Sequence, residues 1–199
     1  MKLKNHLQNY LADALIENNS IIELYKEEID YIKKHQLVQD EGMLVEDNGY
    51  SRFEAAYIER SNKETEELIA VEDGRFFKEK INYLRKHIDE FLYIESTWFE
   101  FLGVDSVCVE VDDVFGTYEV MLGLKLQKKQ EEKIKAELNG LLKKDRKYSL
   151  LFNQSDGLWD LNFALNGIEE FHEEMEFGYV CKIIYRFLFK LVEAVEERV

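Results

Sequence analysis

Apolar positions recur along the chain with two different periods, and the switches between them divide it into elements. Residues 3–17 place Leu3, Leu7, Tyr10, Leu11, Leu15 and Ile16 on one side of a helix. Asn18-Asn19-Ser20 breaks that spacing. Ser20 followed by Glu23 has the form of a capping box, and the helix it opens is expected to run to about His35 on Ile21, Ile22, Tyr25, Ile29 and Ile32. The two helices are expected to form an antiparallel hairpin. Residues 43–45 suit a short strand, Asp47-Asn48-Gly49 a turn, and 68–71 another strand, while 52–59 fits neither period. Phe77, Ile81, Leu84, Ile88 and Phe91 then recur at steps of four and three, which predicts a helix over 75–94.

The clearest signal follows. Val107, Val109 and Val111 alternate with Cys108, Glu110 and Asp112, the period of a half-buried strand. A turn over 113–116 leads to Tyr118, Val120, Leu122, Leu124 and Leu126, which alternate again. Residues 128–143 predict a charged helix buried through Ile134, Leu138, Leu141 and Leu142. Tyr148, Leu150 and Phe152 start a second hairpin that turns at Asp156-Gly157 and returns through Trp159, Leu161, Phe163 and Leu165. A last helix is expected over 168–197, with a break at Gly178. Shifting the chain by 41 residues lays 116–124 onto 157–165, matching the glycine, the last leucine and the aromatic, acidic and apolar character between them. The pattern is β-β-α followed by β-β-α. The fold class read from it is α+β: an antiparallel sheet from two repeat-like ββα units packed with helices, preceded by an N-terminal helical hairpin. The corresponding division is 1–70 and 71–199.

A leading helix, the 107–126 hairpin, the helix from Glu131 to Leu142, the hairpin from Leu150 to Leu165 and a long closing helix from Tyr179 to Glu197 stand in an order similar to the type III secretion chaperone-like fold, including YbjN-like proteins. Ala136-Glu137-Leu138-Asn139-Gly140, then 148–152, then Asp156-Gly157-Leu158-Trp159 resembles that family's helix-to-hairpin stretch. The resemblance covers about residues 76–197. It implies a homodimer that holds an extended segment of a client along apolar patches. Residues 1–70 have no counterpart, only Trp98 to Leu102 stands where the family has a further strand, and no binding residue carries over.

Composition narrows the function classes. With 41 acidic and 26 basic residues the net charge is −15. Such a chain lacks the clustered Lys and Arg that phosphate contacts or an anionic membrane require, so neither nucleic acid nor a membrane is an expected partner. At 46% apolar residues it is too hydrophobic to be disordered. The acidity is uneven: residues 1–70 hold 15 acids against 8 bases, residues 106–167 hold 10 against 9. There is no proline, which leaves the turns to Gly, Asn and Asp. Cys108 and Cys181 are 73 residues apart without metal spacing and read as reduced, packed thiols. Met1 to His6 starts basic but leads into no continuous apolar stretch, and 183–195 is too charged and short to span a bilayer. A cytoplasmic protein is expected.

Candidate chemistry is sparse. No P-loop, GxGxxG or GxSxG occurs. Glu169 and His172 would share a helix face with Glu176 one turn on, but a di-iron site needs two Glu-x-x-His pairs plus two further acids and the chain has one pair, and the zincin pattern lacks its second histidine. A solvated acidic helix turn is the plainer reading. Asp112 and Asp113, with Glu110 and Glu119 nearby, read as a wet hairpin tip rather than an acid–base pair. No catalytic residue, metal ligand or cofactor is assigned. The residues singled out for a partner are Tyr118 and Trp159, at matching repeat positions, and Phe187, Phe189 and Leu191 on the wide apolar stripe of the last helix; core packing competes for all five. The expected function is a non-enzymatic protein-binding adaptor, chaperone-like and dimeric. The alternative is an acidic immunity or inhibitor protein, or a DNA mimic, that neutralises a basic partner.

Overall fold

A computed structural model describes residues 2–16, 21–143 and 148–197. In chain order the elements are α1 (Lys2–Ile16), β1 (Ile22–Leu24), α2 (Lys26–Lys34), β2 (Leu44–Glu46), β3 (Tyr57–Asn62), β4 (Leu68–Glu72), α3 (Tyr83–Lys86), β5 (Glu90–Glu95) and α4 (Thr97–Phe101). They continue with β6 (Val104–Val111), β7 (Tyr118–Leu124), α5 (Glu131–Leu141), β8 (Tyr148–Asn153), β9 (Leu158–Ala164) and α6 (Phe177–Glu197). The fold is α+β, as the alternating and helical periods predict.

Seven strands form one antiparallel sheet in the order β4-β3-β5-β6-β7-β9-β8, and β1 and β2 form a separate parallel pair. The two predicted hairpins, β6–β7 and β8–β9, meet through their second strands, with Leu122 opposite Leu161. Positive backbone φ at Gly116 and Gly157 lets both hairpins turn where a side chain would be strained. Alternation then sends Val107, Val109, Val111, Tyr118, Val120, Leu122, Trp159, Leu161 and Phe163 to one face, where they are buried. Val104 and Val107 are three apart, a spacing that would split them between faces. A register shift between them restores both to the core.

Helix α6 lies over that face, and Phe163 meets Phe187 with ring centroids 4.6 Å apart. α1, α2 and α5 flank it through Leu3, Leu7 and Leu11, Tyr31 and Ile32, and Ile134 and Leu138. Two salt-bridged clamps fix α2 to its surroundings. Glu28 is fully buried and accepts from Arg52 Nη1 (2.9 Å), the Tyr185 hydroxyl (2.6 Å) and the Tyr25 backbone N–H (2.6 Å). Glu27 takes Arg186 of α6 in a two-pronged pair, both contacts 2.8 Å, with Lys190 at 3.1 Å.

Three expectations are corrected. Residues 75–94 are not one helix: a 3-10 turn at Gly74–Lys78 and the four-residue α3 precede β5, which sits between β3 and β6. The helical spacing of Phe77, Ile81 and Leu84 reflects burial of those turns, whereas Ile88 is exposed and the aromatic and branched run at 91–94 prefers the pleated sheet. Ile22–Leu24 is likewise strand rather than helix, because it pairs with Leu44–Glu46. Ser20 lies outside the described residues, and Glu23 is in β1; the residue that reaches back to cap α2 is Glu28, bonded to the N–H of Tyr25. The last helix starts at Phe177, since Phe177 N–H bonds Glu79 O at 2.7 Å and ties the preceding segment down as a loop. Gly178 does not break it; it lies in the first turn, where Tyr50 presses against the helix.

Candidate functional site

All five residues singled out for a partner are buried: Tyr118, Trp159, Phe187, Phe189 and Leu191 are each no more than 5% exposed. Their apolar surface fills the space between sheet and helices, so they present nothing to a partner, and the helix stripe offered for a dimer is used internally. This corrects the sequence reading toward its core alternative.

The acidic segment 169–176 is loop, so Glu169, His172 and Glu176 do not share a helix face. Its carboxylates serve as separate clamps. Glu170 meets Arg186 at 2.7 Å, Glu173 meets Arg85 Nε at 2.7 Å, Glu174 meets Lys80 at 2.6 Å, and Glu176 accepts from the Tyr50 hydroxyl at 2.8 Å. Among the described residues no group of three or more His, Cys, Asp or Glu side chains is placed to hold a metal ion. Asp112 closes the β6–β7 turn by accepting from the N–H groups of Val114 (2.8 Å) and Phe115 (2.6 Å). Lys63 reaches that tip from the β3–β4 turn, binding Asp113 at 3.0 Å.

A cleft of about 490 Å³ is lined by Tyr10, Glu23, Asp47, Ser51, Arg52 and Trp98. The Arg52 guanidinium is sandwiched there between Tyr25 and Trp98, 3.8 and 4.0 Å from the ring centroids. Its charge is already met by Glu28, and carboxylates line the mouth, so the cleft offers no net attraction to an anion.

The surface with the strongest claim to function is the second face of the large sheet. The side chains that alternate with the core residues are half-buried or exposed, so no helix among the described residues buries them. Register carries one row across all seven strands: Val71, Glu59, Tyr93, Cys108, Met121, Asn162 and Ser149. The adjacent row contains Phe91, Glu110 and Glu119, with the two glutamates directly opposite each other. Burial, then the charges of Asp113, Asp112 and Glu119, push the Glu110 carboxyl up, while Lys63, 4.0 Å away, opposes them. Other carboxylates of this face accept from neutral hydroxyls: Glu59 from Tyr57, Glu95 from Tyr93 at 2.5 Å and Glu119 from Thr117 at 2.7 Å. None of the three forms an ion pair among the described residues. Burial and the nearby Glu110 push the Cys108 thiol up to about 11, so it is protonated at neutral pH and poorly nucleophilic.

The face was missed in the sequence because β3 and β5 were not recognised as strands. Tyr57-Ile58-Glu59-Arg60-Ser61 offers one deeply buried apolar residue, Ile58, and no alternation to mark it as a strand. No helix among the described residues is long and apolar enough to cross a membrane. Comparison with protein-family models, curated proteins and solved structures gives no match.

Proposed function

We propose that this chain is a non-enzymatic protein-binding adaptor that works in the cytoplasm and engages a cationic protein through the open face of its sheet. The observation that carries the proposal is the acid without an ion pair on that face, among the described residues, where Glu59, Glu95 and Glu119 are held by hydroxyls beside Phe91, Tyr93 and Met121. Aromatic and methionine side chains interleaved with one sign of charge suit a protein surface of the opposite sign. The same surface would serve an acidic inhibitor of a basic protein; loss of the partner's own activity on binding separates that use from an adaptor's.

The test is capture of partners on the immobilised protein and on a Glu110→Lys/Glu119→Lys variant whose fold is checked by circular dichroism. The expected result is a basic protein retained at low salt, released as ionic strength rises from about 0.05 to about 0.5 M, and lost on the variant. Equal capture by both proteins, or retention indifferent to salt, overturns the reading.

A further inference from the structure

The sheet ends at β4, whose outer edge pairs with no strand among the described residues. Edge strands of natural proteins are normally short, charged along their length or covered, because their free N–H and C=O groups template association. β4 instead exposes Leu68, Ile69 and Val71 by 55%, 45% and 54%. Its ends are acidic: Glu64, Glu66 and Glu67 precede it without an ion pair among the described residues, and Glu72 and Asp73 stand at its far end. The acids at the far end are bound, Glu72 to Arg60 and Asp73 to Arg75, so the free charge is concentrated at the β3–β4 turn.

These features choose between occupants. A second copy paired antiparallel through β4 with Ala70 as centre would set Glu67 opposite Asp73 of the partner subunit, twice over. Centring the pair on Ile69 sets Glu66 opposite Glu72, and centring it between them sets Glu67 opposite Glu72. In each of these three registers Glu66 or Glu67 faces an acid whose charge Arg60 or Arg75 already answers, so it gains no free cation from the second copy. A strand with an apolar centre and lysine or arginine beside Glu64, Glu66 and Glu67 meets the same edge with its charges matched at the β3–β4 turn. Because β4 lies beside β3, a strand added there also extends the open face, continuing the row that runs from Val71 to Ser149.

We infer that the outer edge of β4 takes up an extended, cationic-ended segment of the partner protein by strand addition, its backbone completing the ladder and its basic residues meeting Glu64, Glu66 and Glu67. This rests on the protein-binding reading above and specifies where and in what conformation the partner is held.

The probe is a fluorescent octapeptide with an alternating valine–threonine centre and two lysines at each end, titrated into the full-length protein by anisotropy. Two control peptides accompany it: one with glutamates at the ends, and one N-methylated at alternate amides of the pairing edge. The expected result is saturable binding of the lysine peptide, none of the glutamate peptide, and weakening by at least about tenfold on N-methylation, the loss of two net hydrogen bonds. Ile69→Lys and Val71→Lys, both at exposed positions, are expected to abolish binding. Hydrogen exchange, which needs no variant, should show new protection confined to the outward amides of β4.

Equal affinity of the methylated and parent peptides, or protection on β6 and β7 rather than β4, overturns the inference while leaving capture by the open face intact. No binding of the lysine peptide overturns it as well, and the Glu110→Lys/Glu119→Lys capture experiment then decides the broader reading separately. A mass of twice 23.7 kDa by light scattering, abolished by Val71→Lys, would show a second copy on the edge and also overturn it.

Discussion

Glu27→Gln should remove most of the tie between α2 and α6 and, with it, a defined part of the acid sensitivity of the fold. Glu27 is 8% exposed and takes both prongs of Arg186 at 2.8 Å, with Lys190 Nζ at 3.1 Å. Burial alone would raise its carboxyl, but the hydrogen bonds from Arg186, its local backbone and Lys190 outweigh that and hold it at about 2, against an ordinary value of 4.5. The folded form therefore binds the proton more weakly than the unfolded chain. The stability this contributes is fully present above about pH 4.5 and is lost as pH falls toward about 2. A shift of this size corresponds to at most about 3 kcal/mol, and screening through the half-exposed Lys190 reduces it toward about 2 kcal/mol. Urea unfolding followed by tryptophan fluorescence, for wild type and variant at pH 7, 4 and 2.5, measures the difference directly. The variant should be less stable by about 2–3 kcal/mol at pH 7, and the gap should close steadily on acidification. A gap under about 0.5 kcal/mol at pH 7, the level of an ordinary surface substitution, or one that persists undiminished at pH 2.5, would refute the reasoning.

Arg52→Met leaves Glu28 buried with no cation and empties the sandwich between Tyr25 and Trp98; a loss of about 3–5 kcal/mol in urea unfolding is expected, and a neutral variant would contradict the clamp. Gly178→Ala would drive a methyl into the Tyr50 ring, and thermal unfolding should show a loss of about 1–3 kcal/mol, relieved in part by Tyr50→Ala. Alkylation of Cys108 by iodoacetamide in the folded protein should be slow at pH 7 and accelerate as pH rises toward 11, while Cys181 stays unmodified; fast modification at pH 7 would mean that burial does not protect the thiol.

What was legible in the sequence was the part stabilised by its own alternation. The β6–β7 hairpin and β9 carry alternation and a glycine at each turn and appear with the expected face buried, while β8, at the sheet edge, keeps the expected residues Tyr148, Leu150 and Phe152 only half-buried. β5 was illegible because Phe77, Ile81 and Leu84 are buried by tertiary contact at spacings that coincide with a helical face, while the strand signal at 91–94 lies inside the same window. β1 was hidden for a similar reason: Ile22 alone suits either period, and its parallel partner β2 is twenty residues away. The candidate surface was legible only in half. Large aromatics on the strands and α6 were correctly seen as apolar, but size and hydrophobicity do not distinguish a core position from an exposed one. The positions that do face outward, Tyr93, Cys108, Glu110 and Met121, are the alternate residues of the same strands, and only the register shows that they line up.

The net charge of −15 becomes specific once the cations are located. On the helix side the buried carboxylates have positive partners, Arg52 on Glu28, Arg186 on Glu27 and Arg60 on Glu90, while Arg186 and Arg85 also meet the exposed Glu170 and Glu173. An incoming cationic protein would have to displace Arg52 from Glu28 or Arg186 from Glu27, leaving a largely buried guanidinium unpaired at a cost of several kcal/mol, whereas the exposed Arg85–Glu173 pair would cost little to replace. On the open face and at the β3–β4 turn there is little to displace, because the carboxylates rest on tyrosine and threonine hydroxyls or on solvent. Replacing a neutral donor by lysine or arginine strengthens the hydrogen bond and breaks no existing ion pair. Among the described residues Glu59, Glu95 and Glu119 stand together on the open face without an ion pair, and a positively charged partner displaces least by binding there.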